Sequence, residues 1–428
     1  MRNFKKEELS SLAQVCDRNI KIIASNDLEA CREKRLIIKE YSMKDKTSLV
    51  FTGDIGFDKY MDGKWDDEEL ISSEVLDFLH SGNHVIANVE GALIDSASLG
   101  DTTGVGQLLH SMNPKAVKVL DRMRADIWNI CNNHIMDAGE AGVSETLRLA
   151  RLHSAKTIGA GMNIDEASKP LILDEAGGIG LISVGYRRGC KPADVDKAGC
   201  FMWHEMEMIE EKIKEVKKSC RWCVMVVHGG EEFTSLPSPY TRKRYLKYLE
   251  MGADIVVSHH PHVPMNYEKV GEKIIFYSLG NFIFDTDYQR AQFNTEFGLL
   301  IKLNFTKDNY TWEAFGLRID RECERVVKEK LPRIFENVEE EEYNLLAPLA
   351  AKMLVAAYKR QQIYFKPEYK DADDRMWREN FFNPKRSGRV EGEGLDFFIM
   401  CPLADKAETG EWKKSKLEKV KEYILEQI

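Results

Sequence analysis

The chain has 428 residues, with 61 lysines and arginines against 70 aspartates and glutamates and a formal net charge of −9. That length can bury a large core, as one big domain with appendages or as two domains. The acidic balance and the lack of a basic tract argue against a nucleic-acid partner. The nearest approach to a membrane span, "LLAPLAAKMLVAAY" from Leu345, is short and carries Pro348 and Lys352.

In chain order, the opening "MRNFKKEELSSLAQVCDRN" has basic residues with no apolar stretch behind them. No secretory signal is visible there, and a cytoplasmic protein is expected. Nine cysteines scattered from Cys16 to Cys401 suit a reducing compartment better than a disulfide framework. Residues 1–46 read as a helical N-terminal appendage. From Ser48 the pattern changes to short β-rich runs, "SLVFTGD", "HVIANVE", "IWNICNNH", "IGLISVG", "CVMVVHGG", "DIVVSHH", "KIIFYSLGNFIF" and "GLLIKLNF". Between them lie amphipathic stretches such as "AGEAGVSETLRLARLHS" and "HEMEMIEEKIKEVKKS", with apolar residues at helical spacing. Strands separated by helices predict an α/β fold over 47–320. The segments "VPMNYEKVGEKIIFYS" and "GLLIKLNFTKDNYTWEAFGLRI" read as hairpins, so the sheets are expected to be mixed. Residues 321–428 read as a mainly helical C-terminal extension that closes on "SKLEKVKEYILEQI".

The ends of the predicted strands carry the chemistry. They deliver Asp54, then Asn88 and Glu90, then Asn132, Asn133 and His134 with Asp137 a short step on. Next come His228 with Glu231 and Glu232, the cluster His259, His260 and His262, and finally Asn281 and Asp285. Ligand sites in α/β sheets form outside the strand carboxyl ends. Carboxylate, amide and imidazole donors together suit Mn, Zn, Fe or a similar divalent ion without any thiolate. Other signals weigh less. "CRWC" at 220–223 is a lone pair of cysteines leading into a strand and reads as packing, and "GAGMN" near Gly159 reads as a turn. Arg242, Lys243, Arg244 and Lys247 lie on one helix as a solvated face, of which one or two residues could meet an anionic substrate.

This ordered set resembles the bacterial capsule-synthesis CapA family, the poly-γ-glutamate capsule proteins of calcineurin-like metallophosphoesterase fold. The blocks that carry the likeness are "FTGDIGFD", "ANVEGALID", "NICNNHIMDAGEAGVSETL", "TIGAGMN", "ISVGYR", "VVHGGEEF", "GADIVVSHHPHVPM" and "YSLGNFIFD", from about Ser48 to about Leu303. The resemblance implies two mixed β-sheets packed as a sandwich flanked by helices, with two divalent ions on the loops. It implies that Asp54 and His262 hold one ion, that Asn133, His228 and His260 hold the other, and that Glu90 bridges them. His134 would be the catalytic acid beside a ligand. Asp137, Glu232, Asn281 and Asp285 are expected at the pocket edge, where carboxylates can orient ligand imidazoles.

Two positions depart from the broader phosphoesterase pattern. Gly56 stands where those enzymes carry a histidine two residues after the first aspartate, and Ile135 stands where an acidic residue follows the catalytic histidine. Two functional readings follow. One is a metal-dependent hydrolase for an anionic small molecule or polymer, a phosphoester or γ-linked polyglutamate, in capsule or exopolymer biosynthesis. The alternative is a non-catalytic factor on the same fold that binds polymer or other capsule-biosynthesis proteins.

Overall fold

A computed structural model describes residues 45–95, 109–186, 190–380 and 415–428. The expected N-terminal appendage lies outside the described residues except for its last two positions. The chain begins its first sheet with β1 (Lys46–Gly56), which runs parallel to β2 (His84–Val89). Beyond β2 lie β3 (Ile127–Asn129) and β4 (Lys156–Ile158), also parallel.

A second sheet follows, from β5 (Leu171–Leu173), β6 (Ile179–Gly185), β7 (Trp222–His228) and β8 (Ile255–His259) to the hairpin β9 (Tyr267–Val270) and β10 (Lys273–Phe276). Strands β6, β7 and β8 are parallel neighbours. The chain then returns to the first sheet. There β11 (Asn281–Phe284) pairs in parallel with the end of β1, and β12 (Phe297–Thr306) pairs antiparallel with its beginning. The hairpin partner β13 (Tyr310–Asp320) and β14 (Arg325–Lys328) complete the edge. Spatial order is β14-β13-β12-β1-β2-β3-β4 in one sheet, with β11 beside β1, and β9-β10-β8-β7-β6-β5 in the other. Both sheets are mixed, as the two hairpins predicted.

Side chains alternate across each strand, so one residue set faces the facing sheet and the next faces helices. Leu49, Phe51, Ile86 and Ile127 of the first sheet pack against Leu181, Val224, Val226 and Val257 of the second, which makes the sandwich core. The opposite face of the first sheet is covered by α1 (Ser73–His80), α2 (Val117–Arg122) and α3 (Gly139–Leu152). The opposite face of the second sheet is covered by α4 (Met206–Ser219) and α5 (Pro239–Met251). In α4, Ile209, Ile213 and Val216 fall on one helical stripe and are buried. In α5, the Ser238 side chain accepts from Thr241 N, Pro239 opens the helix and Gly252, at φ 120°, ends it.

Of the expected C-terminal extension, 321–428, the first described residues supply β14 to the first sheet, and beyond it the helices α6 (Glu340–Phe365) and α7 (Ser415–Leu425) share a cluster with Leu236, Ile334 and Val338. Among the described residues no helix is long and apolar enough to cross a membrane. Cys220 and Cys223 are buried, and burial pushes the Cys223 thiol up to about 12, which fits packing rather than metal or redox work.

The parallel strands β1, β2 and β3, and likewise β6, β7 and β8, end toward the same edge of the sandwich. At that edge β1 and β11 are pressed together: Asp54 N donates to Gly280 O at 2.9 Å, and a Cβ on Gly53 would stand 2.2 Å from the same oxygen. Gly53→Ala is therefore expected to force β11 away from β1 and to cost about 1–3 kcal/mol, the usual range for overpacking. Urea denaturation of the purified variant measures it, and wild-type stability would show that the strands have room to part.

Candidate metal centre

Each strand end supplies its residue by register. Asp54 on β1 pairs with Asn88 on β2, and Asn88 with Asn129 on β3. His228 on β7 pairs with His259 on β8. Glu90 follows β2, Asn133 and His134 follow β3, and His260 and His262 follow β8. Beyond β8 the backbone leaves ordinary strand geometry, with φ of 96° at His260 and 58° at His262. Left-handed backbone at non-glycine residues is costly and clusters at functional sites. Here it accompanies two imidazoles that both approach the ends of β1 and β2.

Residues from position 54 to position 262 meet in one buried cluster. His228 Nε2 lies 2.7 Å from Asn133 Oδ1 and 3.7 Å from Glu90 Oε1. His262 Nε2 lies 3.6 Å from Glu90 Oε1, and its Nδ1 lies 3.2 Å from Asp54 Oδ2. Two sets of donor atoms fall within 4.8 Å of one another, Glu90 with His260 and His262, and Asp54 with Glu90 and His228. Glu90 belongs to both, the position expected of a bridge. The sets divide the histidines differently from the sequence expectation, which placed Asp54 with His262 and His228 with His260.

The side chains fit a divalent cation. Glu90 is fully buried, and among the described residues neither of its carboxylate oxygens has a hydrogen-bond partner. A buried carboxylate so arranged is costly unless a cation takes its lone pairs. Burial pushes the Glu90 carboxyl well above its usual range; the nearby His262 opposes this and Asp54 adds to it. Burial also drives His228 well down, helped by His260, and brings His260 to about 4 against the pull of Glu232. Both imidazoles are thus neutral and able to donate a lone pair. For His262 burial acts downward, but Glu90 and Asp54 outweigh it and hold the group up to about 10.

Neighbours that do not face the cluster hold it in place. Ser183 on β6 donates to Asn129 Oδ1 at 2.6 Å, Asn129 Nδ2 to Asn88 Oδ1 at 2.7 Å, and Asn88 Nδ2 to Asp54 Oδ1 at 2.7 Å. This relay crosses from the second sheet to the first and aims Asp54. Asn132 donates to Val89 O and accepts from Gly91 N and His134 N, tying the loop after β3 to the loop after β2. Asn281 Oδ1 lies 2.9 Å from His262 Nδ1, which leaves Nε2 toward Glu90, and Phe233 stacks on the same ring. His259 turns away, its Nε2 2.9 Å from Thr52 O. Sequence reading noted Asn88 without a role and passed over Asn129 and Ser183. Their signal was a polar residue inside an otherwise apolar strand.

Other expected residues are placed as follows. Asp137 lies 2.6 Å from His134 Nδ1, so the carboxylate absent at Ile135 is supplied two residues later, across the turn that His134 opens. Glu232 stands at the edge, 3.9 Å from His260 Nε2, and receives the Tyr288 hydroxyl at 3.3 Å. Asp285 orients no imidazole: it is fully buried between Arg290 at 2.6 Å and Arg321 at 3.2 Å, charge partners that a buried carboxylate needs. Two of the basic residues on α5 are turned to other work. Arg242 forms a two-bond pair with Glu268, and Arg244 donates to Trp203 O and lies over the Trp203 ring. Lys247 pairs with Glu250.

The fold and the cluster define an α/β sandwich with a histidine, carboxylate and amide centre at the ends of its parallel strands. The model of the family "Bacterial capsule synthesis protein PGA_cap" matches residues 48–286, more than half of the chain, and the chain belongs to that family. It is 29% identical over 259 residues to the PGA biosynthesis protein CapA of Bacillus subtilis (strain 168), covering 60% of this chain and 67% of the relative. It is 25% identical over 262 residues to the capsule biosynthesis protein CapA of Bacillus anthracis, covering 58% of this chain and 62% of the relative. The matches therefore span roughly two thirds of the length of these relatives. A solved structure, TT1561 of Thermus thermophilus, aligns with a TM-score of 0.33 and 8% identity, over 66% of this chain and 98% of that one.

The opposed shifts of the histidines give the metal-stripped protein a two-sided pH response. Unfolded histidine titrates near 6.5; His260, held to about 4, contributes stability present above 6.5 and lost as pH falls through about 4. His262, held up to about 10, contributes stability present below 6.5 and lost as pH rises through about 10. Calorimetry in chelator should show the Tm of His260→Gln improving relative to wild type on the acid side. The wild-type advantage over His262→Gln should shrink on the alkaline side. Parallel pH curves for all three proteins would contradict these environments.

Proposed function

We propose that this protein is a metal-dependent hydrolase of an anionic substrate, a phosphoester or a γ-glutamyl polymer, in capsule or exopolymer biosynthesis. The observation that carries this reading is Glu90, a buried carboxylate with both oxygens unbonded, shared by two donor sets beside a carboxylate-backed histidine. Asp54, Glu90, Asn133, His228, His260 and His262 would hold one or two divalent ions, with Mn, Zn and Fe all suited to these donors. When bound, such ions polarise the scissile group and neutralise substrate charge.

His134 follows Asn133 directly, and its side chain is 14% exposed, so it can meet a substrate at the opening. Asp137 accepts the Nδ1–H hydrogen bond at 2.6 Å and orients the ring, so that a proton on Nε2 can pass to a leaving group. Asn281 and Phe233 keep His262 oriented, and the Ser183-to-Asp54 relay keeps the first carboxylate aimed. The relatives' names, PGA biosynthesis and capsule biosynthesis, support a polymeric or polymer-derived substrate and other capsule-biosynthesis proteins as partners.

His134→Ala is expected to lower turnover about 10²–10⁴-fold, the usual worth of general acid assistance, while metal content stays at the wild-type level. Glu90→Gln should lose metal and turnover together, since it removes the anion common to both donor sets. Elemental analysis and rates on phosphomonoesters, phosphodiesters and polyglutamate test both variants. A wild-type protein that binds metal but turns over none of these would favour the non-catalytic assembly reading.

A further inference from the structure

One buried imidazole beside the centre takes no part in the reading above. His110 lies just before the two-residue strand Ser111–Met112, which pairs with Ala92–Leu93 and so brings His110 against Gly91, next to Glu90. Its Nδ1 stands 3.3 Å from Asp58 Oδ2. Burial alone would raise Asp58, but the bond and charge of His110 hold it below its usual range, and a carboxylate facing Nδ1 favours the tautomer with its proton there. The other nitrogen, Nε2, is buried and has no hydrogen-bond partner among the described residues. With the proton on Nδ1 it would present a lone pair away from Asp58.

The slot around this ring is built by the strand ends that deliver the expected ligands. A Cβ on Gly56, two residues after Asp54, would stand 2.9 Å from His110 Nε2. A Cβ on Gly91, directly after Glu90, would stand 2.5 Å from His110 Cδ2. Phe284 flanks the ring at 5.1 Å between centroids, and His134 meets it edge-on at 5.6 Å. His110 N donates at 2.8 Å to Asp137 Oδ2, the oxygen that also holds His134. Carboxylate, protonated Nδ1 and free Nε2 in sequence are the pattern of a metal-ligating histidine oriented from behind.

We propose that His110 is a further ligand of the metal centre, its Nε2 completing the shell of an ion held by Asp54 and Glu90. This rests on the metal-centre reading of those two residues. Nε2 lies outside the two tight donor sets, so ligation requires the imidazole to turn toward Glu90 as the ion binds. Asp58 then acts as the positioning residue that keeps the proton on Nδ1.

The test is calorimetric titration of the metal-stripped full chain with Mn²⁺, with the visible spectrum of the Co²⁺-loaded protein as a second readout. His110→Ala should weaken binding about 10–100-fold or more, the loss typical of disturbed ligand shells, and alter the Co²⁺ bands. Its Tm in chelator should fall, because the buried ring and its Nδ1 contact to Asp58 are lost, so binding is compared below the variant's unfolding range. Gly56→Ala, which crowds Nε2 without removing it, should weaken binding in the same direction, and it serves if His110→Ala does not fold. Wild-type Mn²⁺ affinity and Co²⁺ bands in both variants, with Glu90→Gln binding no ion, would overturn the role of His110 alone. A wild-type protein that takes up no Mn²⁺ or Co²⁺ would overturn the metal centre and this inference together.

Discussion

A carboxylate shut away from water with neither oxygen hydrogen-bonded governs the arrangement around it. Glu90 is fully buried at the end of β2, and the attraction of His262 does not cancel the desolvation that pushes its carboxyl up. Such a group stays charged in a fold only where positive charge can reach it. The structure surrounds it with histidine nitrogens from two loops of the second sheet and with Asp54 from the next strand of its own sheet. The sandwich geometry makes this possible, because both sheets send the carboxyl ends of parallel strands to the same edge.

A satisfied relay beside that cluster helps to keep it in one conformation. The run from Ser183 through Asn129 and Asn88 to Asp54 spends each amide on a donor and an acceptor, with bonds of 2.6 to 2.7 Å. A fully satisfied buried network is rigid, whereas a half-satisfied one would be costly. Asn132 does the same for the loops after β2 and β3. The left-handed residues His260 and His262 carry backbone strain that the surrounding contacts must hold. Phe233, Phe284 and Asn281 seat His262 from three sides.

The departures from the broader phosphoesterase pattern take on a different meaning in space. Ile135 follows His134 in sequence, but the turn that begins there brings Asp137 to 2.6 Å of the imidazole. Gly56 lacks a side chain, and the room this leaves is taken by His110 from a segment more than fifty residues on. A motif read along the chain counts both positions as losses, while the folded protein has a carboxylate beside one and an imidazole beside the other.

Much of this protein was legible before folding was considered. Short β-rich runs such as "SLVFTGD", "CVMVVHGG" and "DIVVSHH" marked strands, the stripes in α3 and α4 marked helices, and the hairpins marked mixed sheets. Polar residues at strand ends marked the candidates, because periodicity is local and its interruptions are visible locally, and the family resemblance singled out Asp54, Glu90, Asn133, His228, His260 and His262 among them. What the chain could not show was who meets whom. Asp285 looked like an edge residue until Arg290 and Arg321 closed on it, and Arg242 looked available until Glu268 claimed it. Asn129, Ser183 and His110 had no motif, since their partners lie on strands and loops distant in sequence. Local pattern sets the elements and their ends, but pairing across sheets depends on register and burial, and those exist only once the two sheets have closed on each other.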